Sequence, residues 1–305
     1  MEPARNLMEE LKEAADIVIN DFFTYENFAK KLGKKTKAKV VTTIAMFYDL
    51  EEPNKFVADI KKLLAEGGIW VNQMSYLPLM LEQNAFDNIC HEHVEYYSLT
   101  SVENLLKRHN LEVFDVELND VNGGSFRLYI RHKGDELVKS FRGADKRLQK
   151  LKRKEERMGL SKKEVYRDFA HRVEKIKKRV ASFIKNEANK DKILHVYGAS
   201  TKGNTLLQYF GLSNMFIEAA SERNPDKWGK KTVATLIPII SEKKSRAKKP
   251  EYYLVLPWHF RKEFLERERE YLQKGGKMIF PLPKLEVVGI KNNRFYSYYP
   301  RNKRN

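Results

Sequence analysis

"ILHVYGASTKGNTLLQYF", residues 193–210, decides the fold. Aliphatic residues and a tyrosine around His195 read as a short buried strand ending at Gly198, and a helix follows through Tyr209. A strand that turns through a glycine loop into a helix is the opening unit of a doubly wound α/β sheet. The first N–H groups of such a helix, with its dipole, favour a phosphate or another anion. Gly198 and Gly203 are the places where a side chain would obstruct close approach, and Ser200, Lys202 and Asn204 are the candidate polar contacts. Asn204 stands where a P-loop has its lysine, so an NTPase is excluded, and the pattern is not G-x-G-x-x-G. The alternative is an ordinary tight strand-to-helix turn.

Downstream, "FIEAAS", "IPII", "YYLVLP" and "MIFPLP" supply further strands. "SERNPDKWGK" (221–230) follows the second strand, where doubly wound sheets often meet a ligand's sugar hydroxyls. "LPWHF" (256–260) ends a later strand and brings Trp258 and His259 to the same sheet edge. Upstream, residues 134–192 read as a helical bridge. Val165, Phe169, Val173, Ile176, Val180 and Phe183 mark one apolar helical face, and Ser161 with Glu164 suggests a capping box.

The first 133 residues also alternate strand and helix. "ADIVIND" (15–21), "AKVVTTIAMFYDL" (38–50) and "IWVNQMSYL" (69–77) read as strands, and "FVADIKKLLAEGG" (56–68) as a helix capped by Gly67-Gly68. "LEVFDVELN" and "SFRLYIRH" form a hairpin around "DVNGG". Three domains are expected: 1–133, 134–192 and 193–305, the tail "YYPRNKRN" being frayed surface.

The net charge is +17, and residues 133–192 alone hold 21 Lys and Arg against 10 Asp and Glu. Their helical spacing makes this a solvated surface rather than a nucleic-acid footprint, and no zinc-finger, RNA-recognition or helix-turn-helix signature accompanies it, so no nucleic-acid partner is expected. A single cysteine, Cys90, excludes a disulfide framework. No apolar run reaches 18 residues and the start carries no signal-peptide core, which points to a cytoplasmic protein without a membrane partner.

"FDNICHEHVEYYSL" (86–99) sets His91-Glu92-His93 among aromatic residues. A metal is disfavoured, because zinc-protease histidines are four apart and these are two apart. Proton transfer suits the histidines better, since imidazole titrates near neutral pH. A packed core histidine is the remaining alternative.

Together, "NAFDNICHEHVEYYSL", "VNGGSFRLYI", "YGASTKGNT", "NPDKWGK" and "LVLPWHF" resemble the S-adenosylmethionine-dependent C-methyltransferases that act on nucleotide-linked 4-keto sugars, over nearly the whole chain. The resemblance implies a truncated Rossmann-like class I methyltransferase domain, a helical bridge and a second doubly wound α/β domain, with substrate between the two α/β halves. It implies that a base removes the proton beside the ketone and that the resulting enolate attacks the sulfonium methyl. His93 is then the base, with Glu92 assisting, and Glu2 and Asp21 contact the donor's ribose and adenine. It places His91, Tyr97, Asn122 and Ser125, with Ser200, Lys202, Asn204, Trp258 and His259, at the nucleotide-sugar substrate.

Three departures accompany the resemblance. Cys90 replaces a pocket tyrosine, and Asp49 stands about where a histidine is found, which leaves the methylated position and the substrate open. The family's first strand, its glycine-rich donor loop and its zinc domain would precede "EPA", whereas this chain starts Met1-Glu2. Weak donor binding by the chain alone is therefore expected, with three explanations open: a fragment, a separate chain supplying the missing part, or a protein that no longer uses the donor. The alternative function is a non-catalytic nucleotide-sugar-binding module.

Overall fold

β-branched residues crowd positions 38–44 and become β1 (Ala38–Ile44), which pairs in parallel with β2 (Leu64–Ser75). β3 (Leu111–Asn119) and β4 (Ser125–His132) form the expected antiparallel hairpin, and β4 pairs with β2, giving the order β1-β2-β4-β3. Trp70, Asn72 and Met74 of β2 face inward opposite Ile130, Leu128 and Phe126 of β4, and all six are fully buried. Phe47, Phe56 and Trp70 pack edge-to-face around them. The sheet's helical companions are α1 (Met8–Ala14), α2 (Tyr25–Leu32), α3 (Pro53–Leu63), α5 (Leu99–Lys107) and α6 (Ala144–Met158); α4 (Leu77–Glu82) follows β2. At the far edge, Val40 and Ile44 of β1 remain exposed.

Two local expectations are corrected here. Residues 15–21 form no strand: apart from the bond from the Glu2 N–H to the Ile19 carbonyl, 3.1 Å, no ladder runs beside them, and Ile17 is exposed. Gly67-Gly68 do not cap α3, which ends at Leu63; they lie inside β2, at a bulge where the register with β1 slips. A Cβ on Gly68 would sit 2.8 Å from the Ala65 carbonyl oxygen, so the bulge accepts only glycine there.

Apart from α4, these elements make one unit, Met1–Leu77, Val94–Asn119 and Gly124–Gly159; the other comprises Pro78–His93, which holds nearly all of α4, Asp120–Gly123 and the chain from Leu160 onward. The computed structural model describes residues 1–300, so part of the tail reading falls outside the described residues. The segment taken as a bridge is divided, α6 going with the first unit and α7 (Lys163–Ala188) with the second.

In the second unit α7 buries Phe169, Val173, Ile176 and Val180, the predicted face. Its N-cap is Lys162 and no side chain caps it, which puts Ser161 one residue too early for the expected capping box. The sheet contains β5 (Leu194–Tyr197), β6 (Ala219–Glu222), β7 (Ile239–Ser241), β8 (Tyr252–Val255), β9 (Lys277–Phe280), β10 (Glu286–Lys291) and β11 (Arg294–Tyr298), in the order β11-β10-β9-β8-β5-β6-β7. The first five in sequence are mutually parallel, and β10 and β11 add an antiparallel hairpin that the sequence reading did not foresee. α8 (Thr201–Phe210), α9 (Glu242–Ala247), α10 (Arg261–Arg267) and α11 (Arg269–Gln273) complete the unit. The chain begins this sheet at β5, builds outward through β6 and β7, then returns to place β8 on the other side of β5. Strand order reverses between β5 and β8, and such a switch point opens a crevice at the strands' carboxyl ends. Among the described residues, no helix is long and apolar enough to cross a membrane.

Candidate functional site

The loops after β5 and β8 flank the switch point. Gly198 takes φ +85°, and a Cβ there would lie 3.0 Å from Pro257, so glycine lets the two loops close up. Ser200 caps α8 by accepting the Gly203 N–H, 3.1 Å. Glu222, at the end of β6, clamps the loop. One of its carboxylate oxygens accepts the Ala199 N–H, 2.9 Å, and the other accepts those of Arg223, 2.8 Å, and Asn224, 2.9 Å. Lys227 donates to the Ala199 carbonyl, 2.9 Å. Burial alone would raise the Glu222 pKa, but these backbone donors and Lys227 outweigh it and hold it below the usual range. Sequence reading missed Glu222, although an acid closing the strand after a glycine loop was the available signal.

Residues 86–93 pack against this edge. Phe86 stacks on Tyr209 and Phe210 of α8, with ring centroids 4.9 and 5.6 Å apart. Arg172 of α7 fixes the start of the segment, bonding the Asn84 side chain, 2.8 Å, and the Leu81 carbonyl, 2.7 Å. Asp87 is buried and accepts the Trp258 indole N–H, 3.0 Å, while its other oxygen has no hydrogen-bond partner. Burial raises its pKa against the opposing pull of Trp258 and Lys202. Asn88 donates to the Ala85 carbonyl, 3.1 Å, and accepts the Lys202 ammonium at 2.7 Å. The Asn88 backbone carbonyl favours the charged form of the His93 ring. Burial, then Lys202, lowers the His93 pKa and outweighs that carbonyl and Glu92. His259 is pushed down to about 4 by burial and by the same lysine.

Of the residues expected at the site, His93, Lys202, His259 and Trp258 therefore meet in one cluster. Trp258 is buried, holding Asp87 and packing on Gly123, whose Cβ would lie 3.1 Å from the indole. Asn122, at φ 55°, precedes that glycine. His91 and Glu92 are exposed, and the Asn204 side-chain oxygen is buried without a hydrogen-bond partner. Tyr97 and Ser125 lie in the first unit, both buried. Glu2 and Asp21, also in the first unit, come to one corner: the Asn20 amide donates to the Glu2 carbonyl, 2.9 Å, and Asp21 accepts the Phe22 N–H, 2.8 Å. Phe22 is 72% exposed beside them. The Glu2 carboxylate accepts the Ala4 N–H, 2.8 Å. Asp87, Asn88 and Glu222 are the residues added by the structure.

The His259 shift has a pH consequence. Its folded pKa lies near 4 against an ordinary 6.5, so the unfolded chain takes up a proton that the folded chain refuses. Stability is full above pH 6.5 and falls as pH drops toward 4. Thermal unfolding across this window is expected to show that slope, and His259→Phe to flatten it. An unchanged slope in the variant would put the proton uptake elsewhere.

Comparisons with known proteins give the family. Residues 120–283 match the C-methyltransferase C-terminal domain, and residues 3–116 match a methyltransferase domain. The chain is 30% identical over 293 residues to the C-methyltransferase NovU of Streptomyces niveus, covering 96% of this chain and 68% of that protein. Two solved structures align over smaller parts. LepI in complex with SAM covers 32% of this chain and 27% of its own, at 10% identity and a TM-score of 0.28. An O-methyltransferase family protein from Burkholderia thailandensis covers 42% and 39%, at 13% identity and a TM-score of 0.29. The protein is a methyltransferase of the α/β, Rossmann-like class, with S-adenosylmethionine as donor. Within that class it belongs to the C-methyltransferase family.

Proposed function

We propose that this C-methyltransferase methylates the carbon beside the ketone of a nucleotide-linked sugar, through an enolate, in carbohydrate biosynthesis. The observation that carries the reading is the cluster around Asn88, where a half-buried imidazole is kept neutral beside an ammonium. A neutral histidine is a base, and a base next to a ketone makes a carbon nucleophile. His93 takes the proton. The bound donor supplies an electrophilic methyl group on a sulfonium. Glu2 and Asp21 would hold its ribose and adenine, and the exposed Phe22 ring offers a stacking surface. The N-terminal end of α8, with its dipole, would meet the substrate's diphosphate.

Calorimetry with thymidine diphosphate tests the last assignment. Thr201 is exposed in the first turn of α8, so Thr201→Glu adds a negative charge without disturbing the core. Affinity is expected to fall by about tenfold or more, equivalent to ~1.4 kcal/mol or more. Undiminished binding would remove the diphosphate from this loop.

A further inference from the structure

We propose that Lys202 is a catalytic residue: its ammonium receives the negative charge that develops on the ketone oxygen as His93 removes the neighbouring proton. This rests on the keto-sugar reading above and assigns Lys202 to a different atom of the substrate from the diphosphate suggested by its place in the glycine loop.

The geometry turns Lys202 away from a purely phosphate-binding role. Its ammonium lies 2.7 Å from the Asn88 side-chain oxygen. The amide end of the same side chain donates to the Ala85 carbonyl, 3.1 Å, which fixes the oxygen toward the lysine. The backbone carbonyl of Asn88 acts on the His93 ring. One residue, 3% exposed, thus fixes the cation, and its backbone acts on the base. Enolisation needs that pairing, because the proton leaves toward one group while charge accumulates at another. Fixed charge in a part-buried site needs no solvent reorganisation as the oxyanion forms.

Several charged and titratable groups act with Lys202. Asp87, Cys90 and His93 lie on the segment before residue 94, where Glu92 also acts on His93, and His259 follows β8. Asp87 is held by Trp258 and does not displace Asn88 from the lysine. The same ammonium opposes protonation of His93, so the cation that stabilises the enolate also keeps the base ready.

The step balances as follows. The C–H bond beside the ketone breaks, the proton goes to His93, and the electron pair moves into the enolate with its oxygen against Lys202. The enolate carbon then attacks the sulfonium methyl: a C–C bond forms, the C–S bond breaks and the ketone is restored. His93 releases its proton to solvent.

The test uses thymidine diphosphate–4-keto-6-deoxyglucose in D2O, with loss of its α-proton signal followed by NMR in the wild type and in Lys202→Met, Lys202→Gln and Lys202→Arg. Glutamine retains an N–H donor for Asn88, so loss of charge is separated from loss of the packing contact. Exchange at saturation is expected to fall ~10²–10³-fold in the methionine and glutamine variants. Arginine should recover part of it. Thymidine diphosphate affinity should stay within about threefold. The acid limb of the exchange–pH profile should move to higher pH in the neutral variants, because His93 no longer faces the cation. Wild-type exchange at saturation with diphosphate affinity down about tenfold would overturn the proposal and make Lys202 a phosphate contact. If the wild type itself exchanged no proton, the keto-sugar reading would fall and this inference with it.

Discussion

Replacing His93 with asparagine is expected to lower methyl transfer by ~10²–10⁴-fold, the span of a positioned acid–base group. Thymidine diphosphate affinity should hardly change, because the base acts mainly in the transition state. The expectation comes from position. His93 is half-buried and feels the Lys202 ammonium, whereas His91 is exposed. His91→Asn should therefore cost less. Steady-state transfer kinetics with calorimetry on both variants will check this. A dead His91 variant beside an active His93 variant would reverse the roles.

Glu155→Ala is expected to be the most destabilising single change in the first unit. Glu155, on α6, is 4% exposed and accepts four bonds: from the Leu99 N–H, 2.6 Å, the Thr100 N–H, 3.0 Å, the Thr100 hydroxyl, 2.6 Å, and the Tyr76 hydroxyl, 2.8 Å. Two of these are first-turn amides of α5, so the carboxylate also complements that helix's positive end. Alanine leaves the buried Leu99 and Tyr76 donors and the two part-buried Thr100 donors unmatched. At roughly 1–3 kcal/mol each, with partial relief by water, a loss of about 3–5 kcal/mol follows. The unfolding midpoint should fall by on the order of 10 °C. Glu155→Gln keeps the volume and should lose less. A drop under about 1 kcal/mol for alanine would mean that water replaces the carboxylate freely.

Glu155 also shows where the sequence was opaque. It lies in "KRKEERM" on a highly charged helix, and nothing local separates it from Glu156. Its burial depends on residues 55, 56 and 79 positions away in sequence. The second sheet was legible because each parallel strand is a short apolar run followed by a loop, and apolar density survives any detail of pairing. Gly67-Gly68 misled because glycines after "LLAE" satisfy the helix-end pattern, while strand pairing with β1 overrides local propensity. Residues 15–21 misled for the converse reason: an apolar run becomes a strand only beside a partner.

At the site, the loops were legible and the couplings were not. Gly198, Lys202 and His259 announce themselves at strand ends. Asn88, in an unremarkable "FDNIC", could be found only by seeing which side chains its two ends hold. Glu222 was hidden in the same way, since its carboxylate serves the loop after a different strand. Trp258 lay where expected but faces the core, so its place in the sequence carried no information about its partner, Asp87.

The most direct measurement is NMR of the product formed from ¹³C-methyl S-adenosylmethionine and thymidine diphosphate–4-keto-6-deoxyglucose in D2O. The labelled methyl is predicted to appear bonded to the carbon next to the ketone, with exchange of that carbon's proton lost in His93→Asn. A label on oxygen, or transfer with the α-protons fully retained, would contradict the enolate account.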